Sequence, residues 1–250
     1  MDATLNVVTL YPRLIDGDLA VLAAFSAKAT VDSPLMGHQQ PPEFVADARS
    51  WLEAHDGVVQ DVAPTVTDTR VAHEFVLSVT VEGDRVEVPT LLIADIEDGC
   101  IRDLRVYHST WPLTGHHRVR PPLMQYGLTP DLAPPVDAYH KALATGDAQG
   151  ADAVFSEGGS VREPAGGAFV HTGAQRTAWY RTILSDGPLE LKLGTVTDDG
   201  ETLILEYALE QWGTTPLAPQ AGAAAYQRDT TGRLIEARIY DDIEPPDRVG

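Results

Sequence analysis

Apolar residues in this chain follow a spacing of three and four positions in some stretches and strict alternation in others, and the same succession occurs twice. The first helical stretch runs from Asn6 to Leu14 and continues through Leu19 to Phe25. Its counterpart runs from Val136 to Ala144 and continues through Ala148 to Phe155. A Gly-Asp step interrupts each, so that Asp18 or Asp147 can cap the second piece. Further helices are predicted over 43–54 and 175–184. The period-two runs 71–81, 86–95, 203–211 and 222–228, bounded by Gly, Asp or Pro turns, predict strands. Helices first and antiparallel strands afterwards is an α+β pattern, with helices packed on one face of a curved sheet.

The succession is an internal repeat. Ile101-Arg-Asp-Leu-Arg-Val-Tyr107 matches Leu234-Ile-Glu-Ala-Arg-Ile-Tyr240, each after a glycine turn. Asp16-Gly17-Asp18 matches Thr145-Gly146-Asp147, Val31-Asp-Ser-Pro34 matches Val161-Arg-Glu-Pro164, and Ala72-His-Glu-Phe75 matches Ile204-Leu-Glu-Tyr207. These landmarks keep their order. They predict a first domain over 1–112 and a second over 135–250. Between them, 113–134 forms a strap rich in Pro and Gly, residues that break regular structure. The adjacent His116 and His117 are expected to be exposed in that strap.

Charge and cysteine usage narrow the partners. The chain carries a formal charge of -19, which repels nucleic acid and anionic membrane surfaces. Cys100 is the only cysteine, so a disulfide within the chain and a thiolate metal cluster are excluded. The start lacks a basic and apolar leader pattern, and no run reaches the roughly 18 apolar residues of a membrane span. A cytoplasmic protein is the expectation. Scarce lysine beside plentiful arginine and alanine suits a GC-rich bacterial gene. The histidines are scattered without metal-ligand spacing, so no metal is expected. Neither a glycine-rich phosphate loop nor any other cofactor motif appears.

Tyr139-His-Lys-Ala-Leu-Ala-Thr-Gly-Asp147, the segment Val161-Arg-Glu-Pro-Ala-Gly166 and the strand Leu234–Tyr240 resemble the first helix, Pro turn and last strand of SnoaL-like and ketosteroid isomerase-like proteins of the nuclear transport factor 2-like superfamily. The resemblance extends to both copies and covers nearly the whole chain outside the strap. It implies two cone-shaped domains, each a curved antiparallel sheet wrapped around helices, packed as a pseudo-dimer within one monomeric chain. It implies an apolar, oxygenated small-molecule substrate and cofactor-independent isomerisation or cyclisation. In ketosteroid isomerases a turn carboxylate removes a proton beside a carbonyl, and a tyrosine and a neutral aspartic acid stabilise the resulting charge. Carried over, the base position falls on Glu163 and the tyrosine on Tyr139. The acid falls near Ala224, which has no donor, and Tyr226 on the same strand face is the available substitute. In the first copy the base position is Ser33, with Asp32 beside it. Tyr11 lies one residue out of register, and His38 follows the turn.

Alternation on the last strand puts Leu104, Val106 and His108 on one face, and Ala237, Ile239 and Asp241 on the matching one. SnoaL-type cyclases place an acid/base aspartate near this strand's end, so the resemblance implies that role for Asp241 or its neighbour Asp242. His108 is the counterpart, an imidazole that titrates near neutrality. His73, Phe75, Tyr207, Tyr226, Tyr11 and Trp179 are expected to line the cones, while Glu74 and Glu206 point out towards solvent or the other copy's sheet. Two alternatives stand. Glu163 with Glu190 would suit epoxide opening by a carboxylate pair, as in fused polyether epoxide hydrolases, and burial of Glu190 would favour it. A non-catalytic ligand binder or scaffold would show a cone filled by its own aromatics and an exposed Glu163.

Overall fold

In a computed structural model, which describes residues 3–164 and 169–243, the chain divides into two units, 1–116 and 117–250. The first unit contains α1 (Ala3–Val8), α2 (Leu10–Ile15), a 3-10 turn (Leu19–Ala24), β1 (Phe25–Ser33), β2 (Gly37–Gln39), α3 (Pro41–Ala54), β3 (Val58–Val66), β4 (Arg70–Val81), β5 (Asp84–Glu97), β6 (Cys100–Tyr107) and α4 (Trp111–Thr114). The second contains α5 (Pro134–Thr145), α6 (Ala148–Ala153), β7 (Phe155–Arg162), β8 (Val170–Thr172), α7 (Gly173–Ile183), β9 (Leu189–Asp198), β10 (Thr202–Trp212), β11 (Thr215–Arg228) and β12 (Leu234–Asp241).

The two units share one topology. The first sheet has the order β2-β1-β6-β5-β4-β3, and the second has β8-β7-β12-β11-β10-β9. All neighbours are antiparallel except β1 with β6 and β7 with β12, which run parallel. Each sheet is therefore mixed rather than wholly antiparallel. The parallel pairs join residues already matched in the repeat: Val31 faces Leu104, and Val161 faces Ala237.

Apolar helix faces pack on the sheets. Val7, Leu10, Leu14, Phe44 and Leu52 meet Phe75, Leu77, Leu92 and Leu104 in the first unit. Val136, Tyr139, Leu143 and Tyr180 meet Leu205, Tyr207, Tyr226 and Ala237 in the second. Pro41 opens α3 behind a capping box made by Gln40 and Glu43, an arrangement that satisfies otherwise unpaired first-turn N–H groups. The Gly-Asp breaks are as expected: Gly17 and Gly146 have φ of +73° and +70°, and Asp18 and Asp147 accept hydrogen bonds from Ala20 and Gly150 N–H.

Three elements differ from the sequence reading. The first helix is broken between Val8 and Leu10, because Pro12 has no N–H for the Val8 carbonyl and its ring crowds that oxygen. β3, an edge strand, went unread because Val58, Val62 and Val66 are exposed and Pro64, which cannot donate to the ladder, interrupts its pattern. Glu74 and Glu206 are buried, which removes the solvent alternative of their expected outward placement, and Thr195 Oγ1 donates to Glu206. Strap residues 117–134 belong to the second unit, where Gly127 and Leu128 N–H donate to the Leu193 carbonyl and Ala221 N–H donates to the Arg120 carbonyl; residues 113–116 belong to the first. Ala165 and Gly166 of the expected Pro turn lie outside the described residues.

Candidate active site

The second unit gathers the densest set of polar groups on a buried face. On β10, β11 and β12, residues Tyr207, Gly222 and Asp241 stand in register. Tyr207 Oη donates to Asp241 Oδ2 at 2.7 Å. Gly222 makes this possible. A Cβ there would come within 2.5 Å of Tyr207 Cε2 and 2.9 Å of Asp241 Cβ, so a side chain would push the phenol off the carboxylate. Tyr226 lies further along β11, four residues from Gly222 and so on the same face.

The helices complete the wall. α5 contributes Tyr139 and His140, both buried, and α7 contributes Tyr180. Tyr180 Oη donates to Tyr139 Oη at 3.2 Å. Tyr139 meets Tyr226 with ring centroids 5.6 Å apart, and edge-on it meets Phe155 and Tyr180, each at 6.0 Å. His140 Nε2 lies 2.9 Å from Tyr226 Oη.

Burial sets the protonation of this cluster. It raises the Asp241 carboxyl pKa to about 6, against the Tyr207 hydrogen bond and the Ile243 N–H, which pull it down; the neighbouring Asp242 carboxylate adds to the rise. Burial lifts Tyr139 to about 12. Tyr207 is also pushed well up, first by burial and then by the Asp241 charge. Tyr226 is raised by burial, Tyr139 and Asp241, so the four groups share one electrostatic site. His140 is driven the other way, to about 4, because burial disfavours its cation. At neutral pH the site holds one carboxylate among neutral phenols and a neutral imidazole. Asp242 is itself buried; it accepts from Arg118 N–H at 2.7 Å and pairs with His117 Nδ1 at 3.0 Å. His117 is thus partly buried against Asp242, not exposed as expected; His116 is exposed.

Glu163 stands elsewhere, just past the end of β7. It is bonded to His171 Nε2 of β8 at 2.5 Å, and its side chain is 30% exposed. His171 stacks on Trp179 at 5.4 Å, and Trp179 meets Tyr180 edge-on at 5.0 Å. Glu190 is exposed and paired with Lys192.

In the first unit, Tyr11 packs on Phe75 with centroids 4.9 Å apart, and Phe75 on His73 at 5.3 Å. His73 is buried, with Nε2 3.3 Å from Asp61 Oδ1, and burial lowers its pKa. His108 is buried, its Nδ1 3.0 Å from the Ser109 carbonyl. Tyr11, Ser33, Met36, Trp51, Leu77 and His108 enclose a cavity of only about 10 Å³, room for about one water. Asp32 and His38 pair across β1 and β2 at 3.1 Å, with His38 mostly exposed. By the repeat, Phe75 and His108 stand where the second unit has Tyr207 and Asp241.

No family model matches the sequence, and no curated protein does. Solved structures of similar shape include a loop-truncation variant of IdmH, 14% identical, covering 46% of this chain and 98% of its own, with a TM-score of 0.40. A candidate polyketide cyclase from Xanthomonas campestris is 23% identical and covers 44% and 93%, with a TM-score of 0.39. The epoxide hydrolase/cyclase-like enzyme SalBIII, which acts in pyran ring formation in polyether salinomycin, is 16% identical and covers 43% and 87%, with a TM-score of 0.37. Each spans under half of this chain. The chain is one α+β unit used twice. Its two equally ordered sheets carry that statement.

Sequence reasoning missed Tyr180, His140, His171 and Gly222. Tyr180 and His140 carry a signal, since each adjoins a residue already singled out (Trp179 and Tyr139). Gly222 carries none, because its value lies in a ring approaching from the neighbouring strand.

Proposed function

We propose that the second domain catalyses proton transfer beside a carbonyl in an apolar, oxygenated small molecule, giving isomerisation or cyclisation. The observation that carries this is Asp241, a covered carboxyl with a pKa raised to about 6 and held by Tyr207 beside buried phenols. A base with a pKa near working pH is both ionised and strong enough to matter. Asp241 takes the C–H proton, and the electron pair moves onto the carbonyl oxygen as an enolate. Tyr139 accepts from Tyr180, so its own O–H is available to donate to that oxygen. Return of the proton at another carbon completes an isomerisation. Attack of the enolate carbon on a second carbonyl closes a ring, and the alkoxide so formed takes the proton back from Asp241.

This reading moves the base from Glu163 to Asp241. Glu163 is half-buried and engaged by His171 just past β7, whereas Asp241 faces the tyrosines. The exposed Glu190–Lys192 pair argues against a Glu163–Glu190 epoxide site.

The test uses a nitrobenzisoxazole, in which removal of one C–H proton opens the N–O bond to a coloured cyanophenolate, so any placed base is read without knowing the natural substrate. Asp241→Asn is expected to lower kcat/KM by about 100-fold or more, with Glu163→Gln near wild type. The reverse ranking would return the base to Glu163.

A further inference from the structure

The sheet face that carries Asp241 also holds a polar side chain that the reaction above leaves unused. Gly222, Ala224 and Tyr226 of β11 share that face, and alternation brings Gln220 to it as well. No bulge interrupts this stretch: Leu209, Tyr207, Leu205 and Leu203 of β10 stand opposite Gln220, Gly222, Ala224 and Tyr226 in turn. Gln220 is 6% exposed, and its amide oxygen, Oε1, is buried and accepts no hydrogen bond.

Native interiors pair nearly all their buried polar groups, and a carbonyl oxygen stripped of water without gaining a donor destabilises the fold. Leucine would occupy the same place without that cost. The neighbours on this face do not supply the donor. Leu209, opposite Gln220, and Ile243, two residues past Asp241, are core residues with apolar side chains. Tyr207 gives its hydrogen to Asp241. Gln220 is two residues from Gly222, the residue paired with Asp241. Two residues of strand span about 7 Å, so one small cyclic molecule can reach both side chains. An ether or ketone oxygen brings no hydrogen to an acceptor, whereas a hydroxyl does.

We propose that Gln220 is a ligand-binding residue of the second unit, its amide oxygen taking a hydrogen bond from a hydroxyl of the bound molecule. The substrate class narrows to ketones that carry a hydroxyl roughly 7 Å from the carbon that loses its proton. The place of that carbon rests on the reading of Asp241 as the base; the hydroxyl site itself does not. Ketones without the hydroxyl, or with it blocked as an ether, leave Oε1 unpaired and are rejected on that account.

Calorimetric titration of the whole chain with two bicyclic ketones tests this. One is a hydroxytetralone with its hydroxyl on the ring away from the carbonyl. The other is the matching methoxytetralone, whose ether oxygen accepts a hydrogen bond but cannot donate one. The wild type is expected to bind the hydroxy compound about tenfold more tightly. Gln220→Leu is expected to bind the two within about twofold of each other. Equal affinities in the wild type, the same preference in Gln220→Leu, or no binding of the hydroxy compound to the wild type would overturn the proposal. A methyl group that merely fits badly would produce the second of these outcomes. Chemical denaturation without ligand gives an independent reading. Replacing an amide that has no partner does not weaken the fold, so Gln220→Leu should unfold at the same or a higher denaturant concentration. A lower midpoint would mean that the protein itself holds the amide, and the proposal would fall. Neither measurement reads turnover. Failure of Asp241 as the base in the nitrobenzisoxazole assay therefore leaves the hydroxyl site standing, and failure of the hydroxyl site leaves the base.

Discussion

Replacing Gly222 by alanine adds one methyl group where Tyr207 Cε2 allows none. The ring must move, and overpacking of this kind costs about 1–3 kcal/mol. Chemical denaturation of Gly222→Ala should show that loss, with a fall in base-catalysed turnover. Tyr207→Phe separates the hydrogen bond from the packing. The Tyr207 bond holds the Asp241 pKa down against burial, so its removal should move the acidic limb of the pH–rate profile above about 6. Asp241 also has a stability signature. Its folded pKa is raised, so the folded state binds the proton more tightly than the unfolded chain does. That contribution is complete below the ordinary carboxyl pKa of about 4 and is lost as pH rises to about 6. Asp241→Asn should therefore raise the thermal midpoint at pH 8 and leave it nearly unchanged at pH 4. No gain at pH 8 would show that the carboxylate is not desolvated. Of this site, Tyr139, Tyr207, Tyr226 and Asp241 were legible from alternation and the repeat. Their hydrogen-bond partners were not, because His140 and Tyr180 reach the site from helices whose rotation about their axes no one-dimensional pattern specifies.

The elements explain which parts of the fold could be read. Helix α6 starts where Asp147 accepts from Gly150 N–H at 2.9 Å, a start signal visible as Gly-Asp. Asp147→Ala should cost about 1 kcal/mol by denaturation, and a change below the error of that measurement would mean that packing alone places the helix. Strands β4, β5, β10 and β11 stand inside their sheets and are covered on both faces over much of their length. Alternation there marks which residues share a face, not which face meets solvent, and for that reason the outward placement of Glu74 and Glu206 left solvent open as their surroundings. The parallel pairing of β7 with β12 was hidden as well, since strands that pair across most of a domain leave no local trace.

At the scale of the whole molecule, one frame carries two different interiors. The second unit keeps Tyr207, Gly222 and Asp241 in line, whereas the first has Phe75 and His108 in the places that correspond to Tyr207 and Asp241. His108→Asn should leave proton-transfer activity within about twofold of wild type, because the proposed base lies in the second unit, while changes at Asp241 remove it. The chain is expected to be a monomer of 27.0 kDa, which light scattering on the purified protein checks. The pH dependence of nitrobenzisoxazole turnover bears most directly on Asp241. In the wild type, kcat/KM should rise about tenfold per pH unit below about 6 and level off above it, and Asp241→Asn should abolish both the limb and the plateau. A wild-type profile with no inflection near 6, or the same inflection in Asp241→Asn, would contradict the assignment of Asp241 as the base.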